Sequence, residues 1–157
     1  MTGTPRLVLA GALAAFLVGF IVTFALPMTD PALSQVTEHS VPYTADTLKG
    51  KAVYDREGCV FCHTQQIRPV RADVGLGVAS EPDRFSNDER SVIGMTRIGP
   101  DLACIGDRFN DTGALTSYLQ NPQGDRPYST MPSLRYLSEQ ELEDLSAYLV
   151  GLSCAGG

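Results

Sequence analysis

The sequence predicts an all-α protein: a single N-terminal transmembrane helix followed by a small helical domain with a thin core of its own. Three observations carry this expectation. Residues Leu7 to Leu26 form one uncharged, apolar run; helix-capping patterns recur at Thr44, at Asp111-Thr112 and at Ser138; and alternating strand patterns are scarce in the rest of the 157 residues. The expected organisation is a membrane anchor over 1–27, a polar tether over 28–43 and a helical domain over 44–157.

At 1.5 Å rise per residue, the run from Leu7 to Leu26 makes about 30 Å of helix, the thickness of a bilayer's hydrocarbon core. Pro27 and Asp30 are expected to stop it. A cleaved signal peptide has a shorter apolar core, about 7–15 residues, and a small-residue cleavage site. The nearest such site, Ala32-Leu33-Ser34, lies far past the run, which favours a retained anchor. Arg6 marks the cytoplasmic end, so that the chain after Pro27 lies outside the cytoplasm, at the periplasmic face of the cell membrane. Gly11, Ala15, Gly19 and Thr23 recur every four residues, a stripe on which a partner helix packs closely.

Net charge is −6, and all 18 acidic residues but only 11 of the 12 basic ones follow the anchor. That balance argues against nucleic acid and suits a basic protein partner. Met28 to Tyr43 carries Pro31 and Pro42 without periodicity and reads as a tether, with His39 a solvated residue in it. Thr44 caps a helix running to about Gly58, with Leu48, Ala52 and Tyr54 as its buried side. Val74 to Thr96, rich in Gly, Ser and acids, reads as an extended loop with at most a short helical turn. Asp111 or Thr112 opens a short helix with Leu115 and Leu119 on one face, ended by Asn121-Pro122. Ser138 and Glu141 form a capping box ahead of a stripe made by Leu142, Leu145, Leu149 and Leu152. Glu139, Glu141, Glu143 and Asp144 crowd the first turns, where the helix dipole favours acids.

Cys59-Val60-Phe61-Cys62-His63 is a C-x-x-C-H sequence, the attachment signature for covalent c-type haem. In that chemistry two thiols add to the vinyl groups of one porphyrin, and the following imidazole reaches the iron from one face. A zinc site would need further ligands, and His39 is the one other histidine. A thioredoxin-like motif would need a strand–helix frame that the surrounding sequence lacks. A single haem also answers the thin core, because it would fill the domain.

Gly99-Pro100-Asp101-Leu102 follows, and with it the sequence resembles the small class of cytochromes c. The resemblance implies a cytochrome c-like helical haem domain in which the carbonyl of Pro100 accepts the Nδ1–H of His63. It also implies a methionine on a loop as second axial ligand. Met131, in Thr130-Met131-Pro132 between two helices, fits that place; Met95 is the competitor, and Met28 sits in the tether. A closer resemblance runs from Pro42 to about Leu137. Pro42-Tyr43-Thr44, Gly50, Tyr54, Arg56-Glu57-Gly58-Cys59, Cys62-His63, Gln65, Ile67-Arg68-Pro69, Arg71, Thr96-Arg97, Asn121-Pro122 and Met131-Pro132 look like the mono-haem subunit of cbb3-type cytochrome c oxidases.

That resemblance implies an electron-transfer subunit, not catalytic by itself, that takes electrons from a soluble or anchored cytochrome c and passes them to a catalytic oxidase subunit in the bilayer. The mono-haem subunit of a nitric oxide reductase and a free-standing anchored carrier are the alternatives, and a haem sensor would need a labile sixth ligand. Arg68, and less so Arg71, are candidates for pairing with haem propionates, since a guanidinium matches a carboxylate in a forked geometry. Cys104 and Cys154 stand apart from the haem motif. In an oxidising compartment they either form a disulfide pinning the last helix or remain two thiols.

Overall fold

The computed structural model describes residues 4–31, 40, 43–88, 92–94, 96–109 and 111–154. His39, Met95 and most of the tether lie outside the described residues. Among the described residues every regular element is helical, as the sequence predicts.

The anchor, α1, runs over Thr4–Phe20, continues through a π turn at Ile21–Ala25 and ends in a last turn at Leu26–Met28. The stretch Pro5–Met28 has a mean hydropathy of 2.6, long and apolar enough to cross a membrane. It ends between Pro27 and Asp30, where the sequence expects a stop. A proline ring inside a helix clashes with the carbonyl four residues back and has no N–H to offer. Here the preceding turn is widened, with the N–H of Leu26 donating to the carbonyl of Ile21, and the Thr23 hydroxyl donates to the carbonyl of Gly19 at 2.7 Å. The π turn absorbs the ring and lets the helix go on to Met28. A Cβ built at Gly11 or Gly19 would meet no other atom, so the small-residue stripe is open along its length.

The domain is built from α2 (Ala45–Arg56), α3 (Thr112–Gln120), the short α4 (Pro122–Asp125) and α5 (Glu139–Val150). The N-termini of α2, α3 and α5 are capped by the residue types the sequence points to. Thr44 accepts from the N–H of Thr47, Asp111 from those of Gly113 and Ala114, and Ser138 forms a reciprocal box with Glu141. The stripe of Leu142, Leu145, Leu149 and Leu152 is buried, and α2 and α3 pack on α5.

The buried face of α2 is only in part the expected one: Tyr54 is buried as expected, but Leu48 and Ala52 are not. Leu48 is 50 % exposed and Ala52 is exposed, whereas Gly50, Val53 and Tyr54 are buried. The reason lies at the helix crossing. A Cβ on Gly50 would collide with the backbone carbonyl of Asp144 and the Cβ of Tyr148 on α5. That close approach rotates the Gly50–Tyr54 face onto α5 and turns Leu48 outward. Tyr54 and Tyr148 then meet with ring centroids 5.6 Å apart, and the hydroxyl of Tyr148 accepts from Nε2 of Gln65 at 3.0 Å. On the other flank of α2 the buried Lys51 pairs with Asp55 at 3.1 Å and Asp88 at 3.3 Å, which ties the long loop to the helix.

Cys104 and Cys154 form a disulfide, with Cα atoms 5.1 Å apart. It fastens the end of α5 to the segment after Leu102, where the N–H of Gly106 also donates to the carbonyl of Leu152 at 2.8 Å.

Replacing Gly50 with Ala inserts a methyl group where two backbones touch. It should destabilise the domain by about 1–3 kcal/mol, the usual cost of overpacking, read as a lower denaturant midpoint with unchanged slope.

Candidate functional site

Gly58 ends α2 with a positive φ of 69°, a backbone shape that favours glycine, and turns the chain directly into the 3-10 turn Cys59–Phe61. The N–H groups of Cys62 and His63 close that turn on the carbonyl of Cys59 at 3.1 and 2.9 Å. Both thiols are free and half-buried. Burial pushes the Cys59 thiol up to about 11, so it is protonated at neutral pH.

His63 projects from the end of this turn toward Gly99-Pro100. Its Nδ1 lies 2.8 Å from the carbonyl oxygen of Pro100. A carbonyl only accepts, so Nδ1 carries the hydrogen and Nε2 presents its lone pair. Gly99 packs under the ring, where any side chain would strike the imidazole. The strand-like pairing of these segments is completed by the N–H of Gly99 to the carbonyl of Cys62 at 2.9 Å and that of Leu102 to the carbonyl of Thr64 at 2.7 Å.

A cavity of about 690 Å³ opens beside the imidazole. Cys59, Cys62, His63, Pro100 and Met131 all line it, together with leucines 102, 115, 119, 134, 145 and 149. It is of the size and mostly apolar character of a cofactor site. The Met131 loop is shaped from within: Nε2 of Gln123 donates to the carbonyl of Met131 at 2.7 Å, and the N–H of Met131 donates to the Ser129 hydroxyl at 3.2 Å.

Arg68 does not face this cavity. Its guanidinium donates to both oxygens of Asp73, each at 3.0 Å, and it is not among the lining residues; neither is Arg71. Asp73 is buried and is held far below the usual carboxylate range by hydrogen bonds from Arg97 first and Arg68 second. The cationic side chains in the cavity wall are Arg108 and Arg126 instead, with Arg126 6.0 Å from the ring centroid of Tyr118. Neither stands near the C-x-x-C-H motif in sequence, and a lone arginine in a loop carries no signal of its own. Tyr54, Tyr118 and Tyr136 also line the cavity.

At the rim, the Tyr136 hydroxyl donates to Glu57 at 2.6 Å, and Arg56 bridges Glu57 and Glu141, 2.8 Å from each. The Tyr136 hydrogen bond and then Arg56 hold Glu57 below its ordinary range. Glu141 is lowered to about 2, chiefly by the backbone N–H and the hydroxyl of Ser138 and then by Arg56.

Fold and site together define a class: a small helical domain of the cytochrome c type, carried on one helix able to span a membrane. The chain is more particular than that. Residues 2–149 match the family described as the mono-heme subunit of cytochrome C oxidase, FixO, and the chain belongs to that family. It is also similar to the cytochrome c oxidase subunit 2 of Alkalihalophilus pseudofirmus, 28 % identical over 104 residues. That match takes in 66 % of this chain and 25 % of the relative, so the chain spans about a quarter of that protein's length.

Glu141 carries a testable pH dependence. A carboxyl with a depressed folded pKa contributes stability above its unfolded value and loses it as pH falls through the folded one. The stability difference between the wild type and Glu141→Gln should be full above about pH 4.5 and disappear toward about pH 2. Chemical denaturation across that range reads it directly.

Proposed function

We propose that this chain holds one covalently attached c-type haem in the 690 Å³ cavity and relays single electrons to the catalytic subunit of a haem–copper oxidase. One observation carries the reading. Cys59, Cys62, His63 and Met131 line a single apolar cavity, with His63 already fixed in the tautomer that offers Nε2. These groups fit the cofactor by their chemistry: two thiols, one nitrogen ligand and one thioether in an otherwise apolar wall.

When bound, the haem supplies a one-electron ferric/ferrous couple. Cys59 and Cys62 would hold it through their thiols. His63 would hold the iron through Nε2, and the Pro100 carbonyl, accepting from Nδ1, would raise the basicity of that nitrogen. Met131 would hold it through its sulfur, a thioether that would favour the ferrous state and raise the potential. Arg108 and Arg126 supply the positive charge for the propionates, the role Arg68 is too well occupied by Asp73 to take. A haem held by both His63 and Met131 would leave no place for dioxygen, so in this reading the domain would transfer electrons and the reduction would take place in the partner.

Family membership supports the oxidase as that partner. The single positive charge ahead of the anchor, Arg6, supports a domain on the extracytoplasmic side. A soluble or anchored cytochrome c is the donor in this reading, and the acidic excess of the chain suits a basic one.

Met131→Ala should keep the haem attached through extraction with acidified acetone. It should lose the weak near-infrared sulfur-to-iron band and lower the midpoint potential. Retention of that band would place the sulfur ligand elsewhere, at Met95.

Mild detergent extraction should bring this chain out together with high-spin haem and copper, and with the subunit that binds them. Recovery of the haem-stained chain alone, at its 16.9 kDa, would instead mark a free-standing carrier.

A further inference from the structure

The guanidinium of Arg97 ties together residues 64–66, Asp73 and Asp101, adding to the backbone hydrogen bonds that already join the first and last of these stretches. Its Nε donates to the hydroxyl of Thr64 at 3.1 Å, and Nη1 to Asp73 at 2.6 Å. Its Nη2 donates to the carbonyl of Gln66 at 2.6 Å and to Asp101 at 3.2 Å. The carboxylates it meets are inaccessible, with side-chain exposures of 0 % for Asp73 and 3 % for Asp101. Behind it, the Thr64 hydroxyl donates to the same oxygen of Asp101, and the other oxygen accepts the N–H of Ala103 at 2.8 Å. Thr64 directly follows His63, and Asp101 directly follows Pro100.

We propose that Arg97 is a positioning residue for His63: by cross-linking residues 64–66 to Asp101 and Asp73, it sets how tightly the imidazole is held to the Pro100 carbonyl. This rests on His63 being an iron ligand, as argued under the proposed function. The imidazole and the carbonyl that meet at 2.8 Å belong to two backbone segments, and Arg97 is the cation that fixes their separation from outside the cavity. Arginine suits the task because one rigid fork presents five donors, whereas a lysine ammonium is a single point that cannot reach all the acceptors at once. Arg68 provides a natural comparison. It donates to the same Asp73 but is 51 % exposed, and its guanidinium bonds neither residues 64–66 nor Asp101.

The test uses the haem-loaded full chain in detergent, as wild type, Arg97→Lys, Arg68→Lys and Thr64→Val. Two quantities are read: the midpoint potential, and the exchange rate of the His63 Nδ1–H in the ferrous protein by nuclear magnetic resonance. Arg97→Lys keeps the charge and should keep the sulfur-to-iron band. It should nevertheless speed exchange by about tenfold, equivalent to ~1.4 kcal/mol, the scale of one hydrogen bond. It should also raise the potential, because a looser Pro100 contact makes the imidazole a weaker donor to ferric iron. Thr64→Val should move both readings in the same direction, and Arg68→Lys should move neither. If Arg97→Lys fails to load haem, Thr64→Val decides by the same readings. Unmoved values in both variants, or equal shifts in Arg68→Lys, overturn the assignment. A wild type lacking a His63-ligated haem overturns the haem reading and this assignment with it; a normal wild type with unmoved variants overturns the assignment alone.

Discussion

The contact between His63 and the Gly99-Pro100 pair is the constraint on which the domain's architecture turns. The imidazole lines the cavity, with its Nδ1 on the Pro100 carbonyl at 2.8 Å and Gly99 close against the ring. Three chemical requirements meet there: a residue without a side chain, a carbonyl with no competing intrahelical partner, and a following residue that can anchor the turn. Glycine, proline and aspartate answer them in order, the last by accepting from Thr64 and Ala103. The 3-10 turn at Cys59–Phe61 places both thiols on the same wall as His63, so under the proposed function one short stretch would supply both thiols and the nitrogen ligand. Everything else in the domain holds the opposite wall, with Met131, at the right remove.

That opposite wall depends on helix packing. The α2–α5 crossing at Gly50 brings the start of the C-x-x-C-H turn against the leucine stripe, and α3 carries the chain round to the Met131 loop. The cavity is lined by leucines that also belong to the core, so its wall on that side is continuous with the domain's interior. The disulfide and the Gly106–Leu152 hydrogen bond keep the end of α5 fixed to the segment that follows Leu102, which bears on the cavity from the proximal side.

Much of this was legible in the sequence because it is written in local chemistry. The helix caps, the leucine stripe and the contact of His63 with the Pro100 carbonyl each require particular residues at fixed spacing, and the structure shows each of them. What was not legible depends on which elements meet. Leu48 and Ala52 look like a buried face until Gly50 is found touching the Asp144 backbone. Arg68 looks like a propionate partner because it lies near the haem motif in sequence, yet Asp73 takes it out of the cavity while Arg108 and Arg126, far along the chain, enter the wall. Two cysteines 50 residues apart give no spacing signal, and only the fold brings them together.

The proximal side raises a further question of design: why a network of two arginines and two aspartates stands where apolar residues could pack. Replacing a buried ionic cluster with well-fitted hydrophobic side chains is often neutral or stabilising, so stability alone does not account for it. Apolar contacts, however, are non-directional and tolerate sliding. The fork of Arg97 accepts few arrangements of Thr64, Gln66, Asp73 and Asp101, and each acceptor is itself tied to backbone. Because the cluster pairs its positive charges with negative ones, it adds little net field beside the cavity while fixing distances. A ligand whose basicity depends on one hydrogen bond calls for that kind of support. Under the proposed function the buried charges serve geometry, because the donor strength of Nε2 would follow the His63–Pro100 contact that they brace.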